Sequence, residues 1–194
     1  MDAAIDFDAA TARPAVFIDK DGTLVDDVPY NADPALQRIR PSAPRALAAL
    51  AQQGYALVVV SNQSGIGRGL FSAAQFDALR QALQQELEAA GVRLDAFFHC
   101  PHAPGASGRP ACACRKPRPG MLMRAARRHR LDLARSWMVG DTLDDVEAGH
   151  RAGCRSLLYD SGGETVWRLT PLRRPDARVD DWPAVARLIL DGRA

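Results

Sequence analysis

Short apolar runs alternate along this chain with longer stretches of helical spacing, and most of the runs stop abruptly at a polar residue. Ala15–Ile18 ends at Asp19, and 56–60 ends at Ser61; 96–99, 137–139 and 156–159 follow the same form. Each reads as a short buried strand. Between them, apolar residues three and four apart predict helices. One runs over 42–53 (Ala46, Leu47, Leu50) and closes at Gly54; another starts at Ser72, which forms a capping box with Gln75, and stops at Gly91. Two more cover 120–130 and 144–152. Ala177–Val179 is a candidate edge strand, and a last helix follows Asp181. Residues 1–14 are polar and expected to be loosely ordered. Residues 100–119 form a loop rich in Pro, Gly and Cys, and no internal repeat interrupts the series.

Strands alternating with helices predict an α/β fold: a Rossmann-like open parallel sheet with helices on both faces. Ligands of such sheets bind beyond the carboxyl ends of the strands, near the point where strand order reverses. Asp19, Ser61, Cys100 and Asp141 each lie just after a predicted strand, which places them on one rim.

Composition narrows the picture. A chain of 194 residues suits a single domain over 1–194, and 47% hydrophobic content is ordinary for one with a buried core. The net charge of +2 gives no strong attraction to nucleic acid or anionic lipid. No run approaches the roughly 18 apolar residues of a membrane span. The acidic start of the chain lacks the apolar core of a secretory signal, so a cytoplasmic location is expected. Arg124, Arg127, Arg128 and Arg130 read as a solvated helix face. Among 25 basic residues, Lys20 and Lys116 are the only lysines, which suggests positions where a compact ammonium is wanted rather than a planar fork.

The chemistry begins at Asp19-Lys20-Asp21-Gly22-Thr23-Leu24. Two carboxylates two residues apart after a strand project to the same side. At about 4 Å they repel by roughly 4 kcal/mol at an effective dielectric near 20, so the pair needs a cation or a shared proton. A solvated Asp-Gly turn is the plain alternative. Val139-Gly140-Asp141 repeats the pattern after another strand. Asp141 on the rim with Asp19 supplies a further oxygen for a hard octahedral ion, and carboxylates plus a phosphate suit Mg²⁺. Asp144, in a first helical turn, reads as a dipole partner.

Asp19-x-Asp21-Gly22-Thr23, Ser61-Asn62-Gln63, Lys116 and Gly140-Asp141-x-x-x-Asp145 stand in the order of the four motifs of haloacid dehalogenase-like (HAD) phosphatases, and the chain resembles that family from about residue 15 to 160. The resemblance implies a phosphomonoesterase working through an aspartyl-phosphate. Asp19 would be the nucleophile and Asp21 the general acid and base. Ser61 and Lys116 would hold the phosphoryl group. Mg²⁺ would be bound by Asp19, Asp141 and the backbone carbonyl of Asp21, with Asp145 orienting a metal-bound water. No insertion long enough for a cap domain is present, so an open site is expected.

Cys100-Pro101-His102 and Cys112-Ala113-Cys114 add a second signal. Three thiols and an imidazole in one loop match a closed Cys₃His set for structural Zn²⁺. A disulfide is the alternative, disfavoured in a reducing compartment. Cys154 is left over as a core thiol. Because Cys114 adjoins Arg115 and Lys116, a metal here would order the segment that delivers both cations.

The cysteine loop followed by Arg115-Lys116-Pro117, together with residues 62–69 and 27–30, resembles the bacterial heptose-bisphosphate phosphatases, which remove the C7 phosphate of D-glycero-D-manno-heptose 1,7-bisphosphate in ADP-heptose synthesis. That resemblance implies a sugar pocket of Asp27, Tyr30, Ser61, Asn62, Gln63, Ser64, Arg115, Lys116 and Thr142. Thr142 stands where the family often has lysine. A histidinol-phosphate or other small-metabolite phosphatase is the alternative, and a non-catalytic zinc-stabilised module the distant one. The expected partner is a small phosphorylated metabolite bound by a monomer, with no nucleic acid or membrane involved.

Overall fold

The computed structural model describes residues 12–105 and 111–192. Most of the expected loose start at 1–14, and residues 106–110 of the cysteine loop, lie outside that range.

Five apolar runs and the edge segment become parallel strands: β1 (Ala15–Ile18), β2 (Ala56–Asn62), β3 (Ala96–Cys100), β4 (Trp137–Gly140), β5 (Arg155–Tyr159) and β6 (Ala177–Val179). Their order among the described residues is β3-β2-β1-β4-β5-β6. Strand order therefore reverses between β1 and β4, the crevice where such folds bind ligands. Both central strands are buried along their whole length, as strands covered on two faces must be.

The helices are α1 (Ala43–Gln52), α2 (Ser64–Gly67), α3 (Ala73–Ala89), α4 (Gly120–His129), α5 (Leu143–Ala152) and α6 (Trp182–Asp191). Alternation along the strands sends Val16, Ile18, Leu57 and Val59 to one face, where they pack with Leu47 and Leu50 of α1, Leu83 and Leu87 of α3, and Val185 and Ile189 of α6. Ala15, Phe17, Val58, Val60 and Met138 point the other way, onto Met121, Leu122 and Ala125 of α4 and Ala148 of α5. The Ser72–Gln75 capping box forms as expected, a feature worth about 1 kcal/mol. Arg124, Arg127 and Arg128 are exposed on α4, and Arg127 and Arg128 lie in the last turn, where they complement the helix dipole.

Three strand ends run past expectation, β4 by one residue to Gly140. β2 continues through Ser61 to Asn62 and β3 through His99 to Cys100, because Ser61 pairs with His99 and Asn62 with Cys100 in the parallel ladder. Polarity alone does not end a strand whose neighbour still offers backbone partners. Ser61 and Cys100 therefore sit on the last rungs of the sheet rather than in the loops beyond. No helix among the described residues is long and apolar enough to cross a membrane.

Candidate active site

β1 and β4 end side by side, with Asp19 NH donating to the Val139 carbonyl at 2.9 Å. That pairing brings Asp19 and Asp141 to the reversal point. Carboxylate oxygens of Asp19, Asp141 and Asp145 all lie within 4.8 Å of one another, and the three residues are only 7%, 7% and 2% exposed. The backbone of Gly22 presses into the same space: a Cβ there would lie 2.1 Å from Asp141 Oδ2, and its φ is +80°. Only glycine fits this close approach.

One cation pairs with two of the three acids. The Lys116 ammonium donates to Asp19, reaches Asp145 Oδ1 at 2.6 Å and donates to the Val60 carbonyl at 2.9 Å. Two of these contacts are hydrogen bonds, and the third is an ion pair to a buried Asp145 oxygen that has no hydrogen-bond partner. Burial works against the ammonium, but Asp145 and then Asp19 outweigh it and hold its pKa above the usual lysine value. One positive charge cannot neutralise three buried carboxylates. Burial first, with the neighbouring acids adding to it, raises Asp19 well above the usual carboxylate range despite Lys116. Asp141 is pushed up to about 7, by burial and then by Asp145. Such an excess of buried negative charge is what a divalent cation would relieve, and an all-oxygen donor set fits Mg²⁺.

The structure adds Asp145 to Asp19 and Asp141 as a third carboxylate, while Asp21 is expected to offer its backbone carbonyl. Asp21 is not part of the carboxylate trio; the third member is Asp145. The Asp21 side chain instead pairs with the Lys20 ammonium and accepts from Gln63 Nε2 at 2.7 Å. Lys20 is itself only 1% exposed, so both lysines of the chain are buried at this rim. Asp145 has work beyond a metal-bound water. Its Oδ2 accepts from Thr142 N at 3.1 Å and Thr142 Oγ1 at 2.6 Å, a capping box at the start of α5, while Oδ1 faces Lys116. Asp144 stays outside the site, paired with Arg173.

Beside Asp21 opens a cleft of about 150 Å³ lined by Asp27, Tyr30, Asn62, Gln63 and Ser64 among others. Five expected pocket residues therefore meet there, next to the expected acid and base. Ser61 Oγ accepts from Gln63 Nε2 at 2.8 Å, leaving its proton to donate. Thr142 is not among the residues lining this cleft, and its hydroxyl donates to Asp145. Arg115 lies on the cysteine loop, where its Nη1 donates to the His102 carbonyl at 3.4 Å. Ser161 is a contact that motif spacing did not indicate: its hydroxyl donates to Asp141 Oδ2 at 3.3 Å. It follows β5 in an Asp-Ser-Gly-Gly stretch that reads as an ordinary turn.

The four cysteine-loop ligands converge. Cys100, Cys112 and Cys114 Sγ and His102 Nδ1 lie 3.1–3.5 Å apart in the five measured pairs. A disulfide needs about 2.05 Å, so the thiols are free. Tetrahedral metal–sulfur bonds of about 2.3 Å imply sulfur–sulfur edges near 3.8 Å, and the cluster is close to that size. Soft thiolates with one imidazole fit zinc chemistry. Burial raises the Cys100 thiol, while hydrogen bonds from the backbone at Arg115 and from the neighbouring thiols outweigh burial at Cys112 and bring it to about 7.

Comparison with known proteins agrees with this geometry. The HAD-hydrolase-like family model matches residues 113–184. The chain is 42% identical over 160 residues to a Salmonella typhi protein named D-glycero-beta-D-manno-heptose-1,7-bisphosphate 7-phosphatase, covering 81% of this chain and 85% of that one. A Mesorhizobium japonicum protein of the same name is 38% identical, covering 93% and 86%. The crystal structure of the D,D-heptose 1,7-bisphosphate phosphatase of B. bronchiseptica, complexed with magnesium and phosphate, superposes with a TM-score of 0.78 at 33% identity, covering 92% of this chain and 99% of that one.

Proposed function

From the premise that this chain belongs to the D-glycero-beta-D-manno-heptose-1,7-bisphosphate 7-phosphatase family of HAD-like hydrolases, we propose that it removes the C7 phosphate of that heptose bisphosphate through an aspartyl-phosphate on Asp19. The observation that carries the assignment of roles is the buried meeting of Asp19, Asp141 and Asp145 around the Lys116 ammonium at the point where sheet order reverses.

Asp19 attacks phosphorus in line; a carboxylate suits the task because the acyl phosphate it forms is itself readily hydrolysed. Lys116 holds Asp19 in place and offers positive charge to the phosphoryl oxygens as they arrive. Ser61, oriented by Gln63, donates a hydrogen bond to the same group. Asp21 stands at the edge of the cleft with Gln63 on one oxygen and Lys20 on the other. From there it protonates the leaving sugar oxygen, then takes a proton from the water that cleaves the intermediate. Asp19 and Asp141, with the Asp21 carbonyl, would hold Mg²⁺, which supplies charge neutralisation on the transferring phosphoryl group. Asp27, Tyr30 and Ser64 receive the sugar, and Arg115 offers a bidentate fork to the second phosphate.

Cys100, His102, Cys112 and Cys114 would hold Zn²⁺ as a structural ion, ordering the segment that ends in Arg115 and Lys116. The same reading makes the chain one domain acting as a monomer in the cytoplasm, where thiols stay reduced. No observation favours histidinol phosphate. The test is phosphate release with and without Mg²⁺, comparing kcat/KM for heptose bisphosphate and histidinol phosphate. Higher specificity for the heptose ester is expected; the reverse order overturns the substrate, and release independent of Mg²⁺ overturns the mechanism.

A further inference from the structure

Asn62 belongs to the expected sugar pocket, and it does line the cleft. Its amide, however, is engaged elsewhere. Oδ1 accepts from the backbone NH of Lys116 at 3.1 Å, and Nδ2 donates to the backbone carbonyl of the same residue at 3.2 Å. A side-chain amide presents one acceptor and two donors in a plane. Matched against a peptide NH and C=O, only this orientation satisfies both groups. The result is a single rung of ladder between the last residue of β2 and a loop 54 positions away.

The other end of the same lysine returns to the same strand, where its ammonium donates to the Val60 carbonyl at 2.9 Å. β2 therefore grips Lys116 twice, by backbone through Asn62 and by side chain through Val60, with Ser61 between the two grips. Asn62 is in turn anchored on the cysteine cluster. It pairs with Cys100 in the β2–β3 register, and Gln63 NH donates to the Cys100 carbonyl at 2.8 Å. Cys114 Sγ, two residues earlier, contacts Cys100 Sγ at 3.1 Å, and the Asn62 amide then fixes the backbone at Lys116 itself.

We propose that Asn62 is a positioning residue for Lys116 and acts on the reaction through that lysine, not as a ligand of the sugar. The inference rests on the assignment of Lys116 to the phosphoryl group. Misplacing a catalytic group by about 1 Å costs on the order of 100-fold, so Asn62→Ala should lower kcat by roughly 10- to 100-fold. Because p-nitrophenyl phosphate offers only the phosphoryl group in common with the heptose ester, the same factor is expected for both, with KM nearly unchanged. Residues acting as one unit are non-additive, so Asn62→Ala should add almost nothing in a Lys116→Ala background.

A loss confined to heptose bisphosphate and expressed in KM would make Asn62 a sugar ligand, and full additivity with Lys116→Ala would sever the link. Asn62→Asp keeps the shape and the acceptor but sets a carboxylate against the Lys116 carbonyl; it should show the same kcat pattern if the alanine variant folds poorly. Amide hydrogen exchange reads the clamp without any substrate. Protection of the Lys116 NH should fall in Asn62→Ala, and unchanged protection overturns the proposal even if wild-type protein hydrolyses neither ester. Failure of both esters in wild type, with the exchange effect intact, would instead count against the proposed function.

Discussion

The two candidate metal-ligand clusters among the described residues lie on one rim of the sheet and are built in opposite ways. In the carboxylate cluster, Asp19 and Asp141 extend directly from the ends of β1 and β4, and Asp145 sits in the first turn of α5; all are buried and held by the sheet and a capping box. In the thiolate cluster only Cys100 is on a strand, while His102 is exposed and Cys112 and Cys114 are half-buried in a loop. The first has order without an ion but carries unbalanced charge. The second carries less charge and touches the core through Cys100, with Cys112 and Cys114 packed against it only half-buried and His102 exposed on the loop. A divalent ion would answer an electrostatic problem in one and a conformational one in the other.

The largest expected effect breaks the first cluster chemically while leaving its architecture alone. Asp19→Asn is nearly isosteric, so circular dichroism should match wild type, and removing the nucleophile should cost on the order of 10⁴-fold or more in kcat. Wild-type-like turnover would remove Asp19 from that role. A smaller loss is expected from the second cluster, because it acts on catalysis only through Lys116 and Arg115. Cys114→Ser, or removal of the loop metal with Mg²⁺ then restored, should lower kcat by roughly 10- to 100-fold and increase proteolytic cutting within 100–119. A metal-stripped protein with full activity would uncouple the two clusters.

The same contrast explains what could be read before the structure. Strands and helices were legible because alternation and capping are local: the Ser72–Gln75 box and the stop at Gly91 appear where the pattern put them. The rim was legible too, since it follows from strand ends. What local pattern does not give is the aim of side chains beyond those ends. Spacing puts Asp19 and Asp21 on one side, but it does not show that the Asp21 side chain pairs with Lys20 and Gln63 or that Asp145 joins Asp19 and Asp141. The bond from Thr142 to Asp145 likewise fixes an aim that spacing alone leaves open. Asn62 shows the limit most clearly, because its partner lies 54 residues away and no local signal marks the pair.

A pH experiment sharpens the comparison by reading the unbalanced charge directly. Asp141 rises from an ordinary 3.8 to about 7 in the metal-free fold, chiefly by burial. The folded state therefore binds a proton that the unfolded state has released between about pH 4 and 7. Stability falls with rising pH wherever the native state binds more protons, so this carboxyl costs stability progressively across that window, and Asp19 acts in the same direction. Lys116, raised above its usual value, has its effect only at higher pH. Without Mg²⁺ the Tm should drop from pH 5 to pH 8, and saturating Mg²⁺ should flatten or reverse the trend. A Tm indifferent to Mg²⁺ at pH 8 would mean that no cation relieves this cluster.

The smallest expected effect separates holding the site from lining it. Thr142→Ala removes the 2.6 Å hydroxyl bond to Asp145 and half of the α5 capping box. Loss of such a cap costs about 1 kcal/mol, a few degrees in Tm for a domain of this size. Asp145 keeps Lys116 as a partner, so kcat should fall only severalfold. Since Thr142 does not reach the cleft, KM for heptose bisphosphate should change no more than KM for p-nitrophenyl phosphate, and Thr142→Ser should restore both stability and rate because the hydroxyl alone is used. If instead the alanine variant raises KM for the bisphosphate alone, with Tm unmoved, Thr142 is part of the sugar site and the side of the rim built on α5 shares in recognition as well as catalysis.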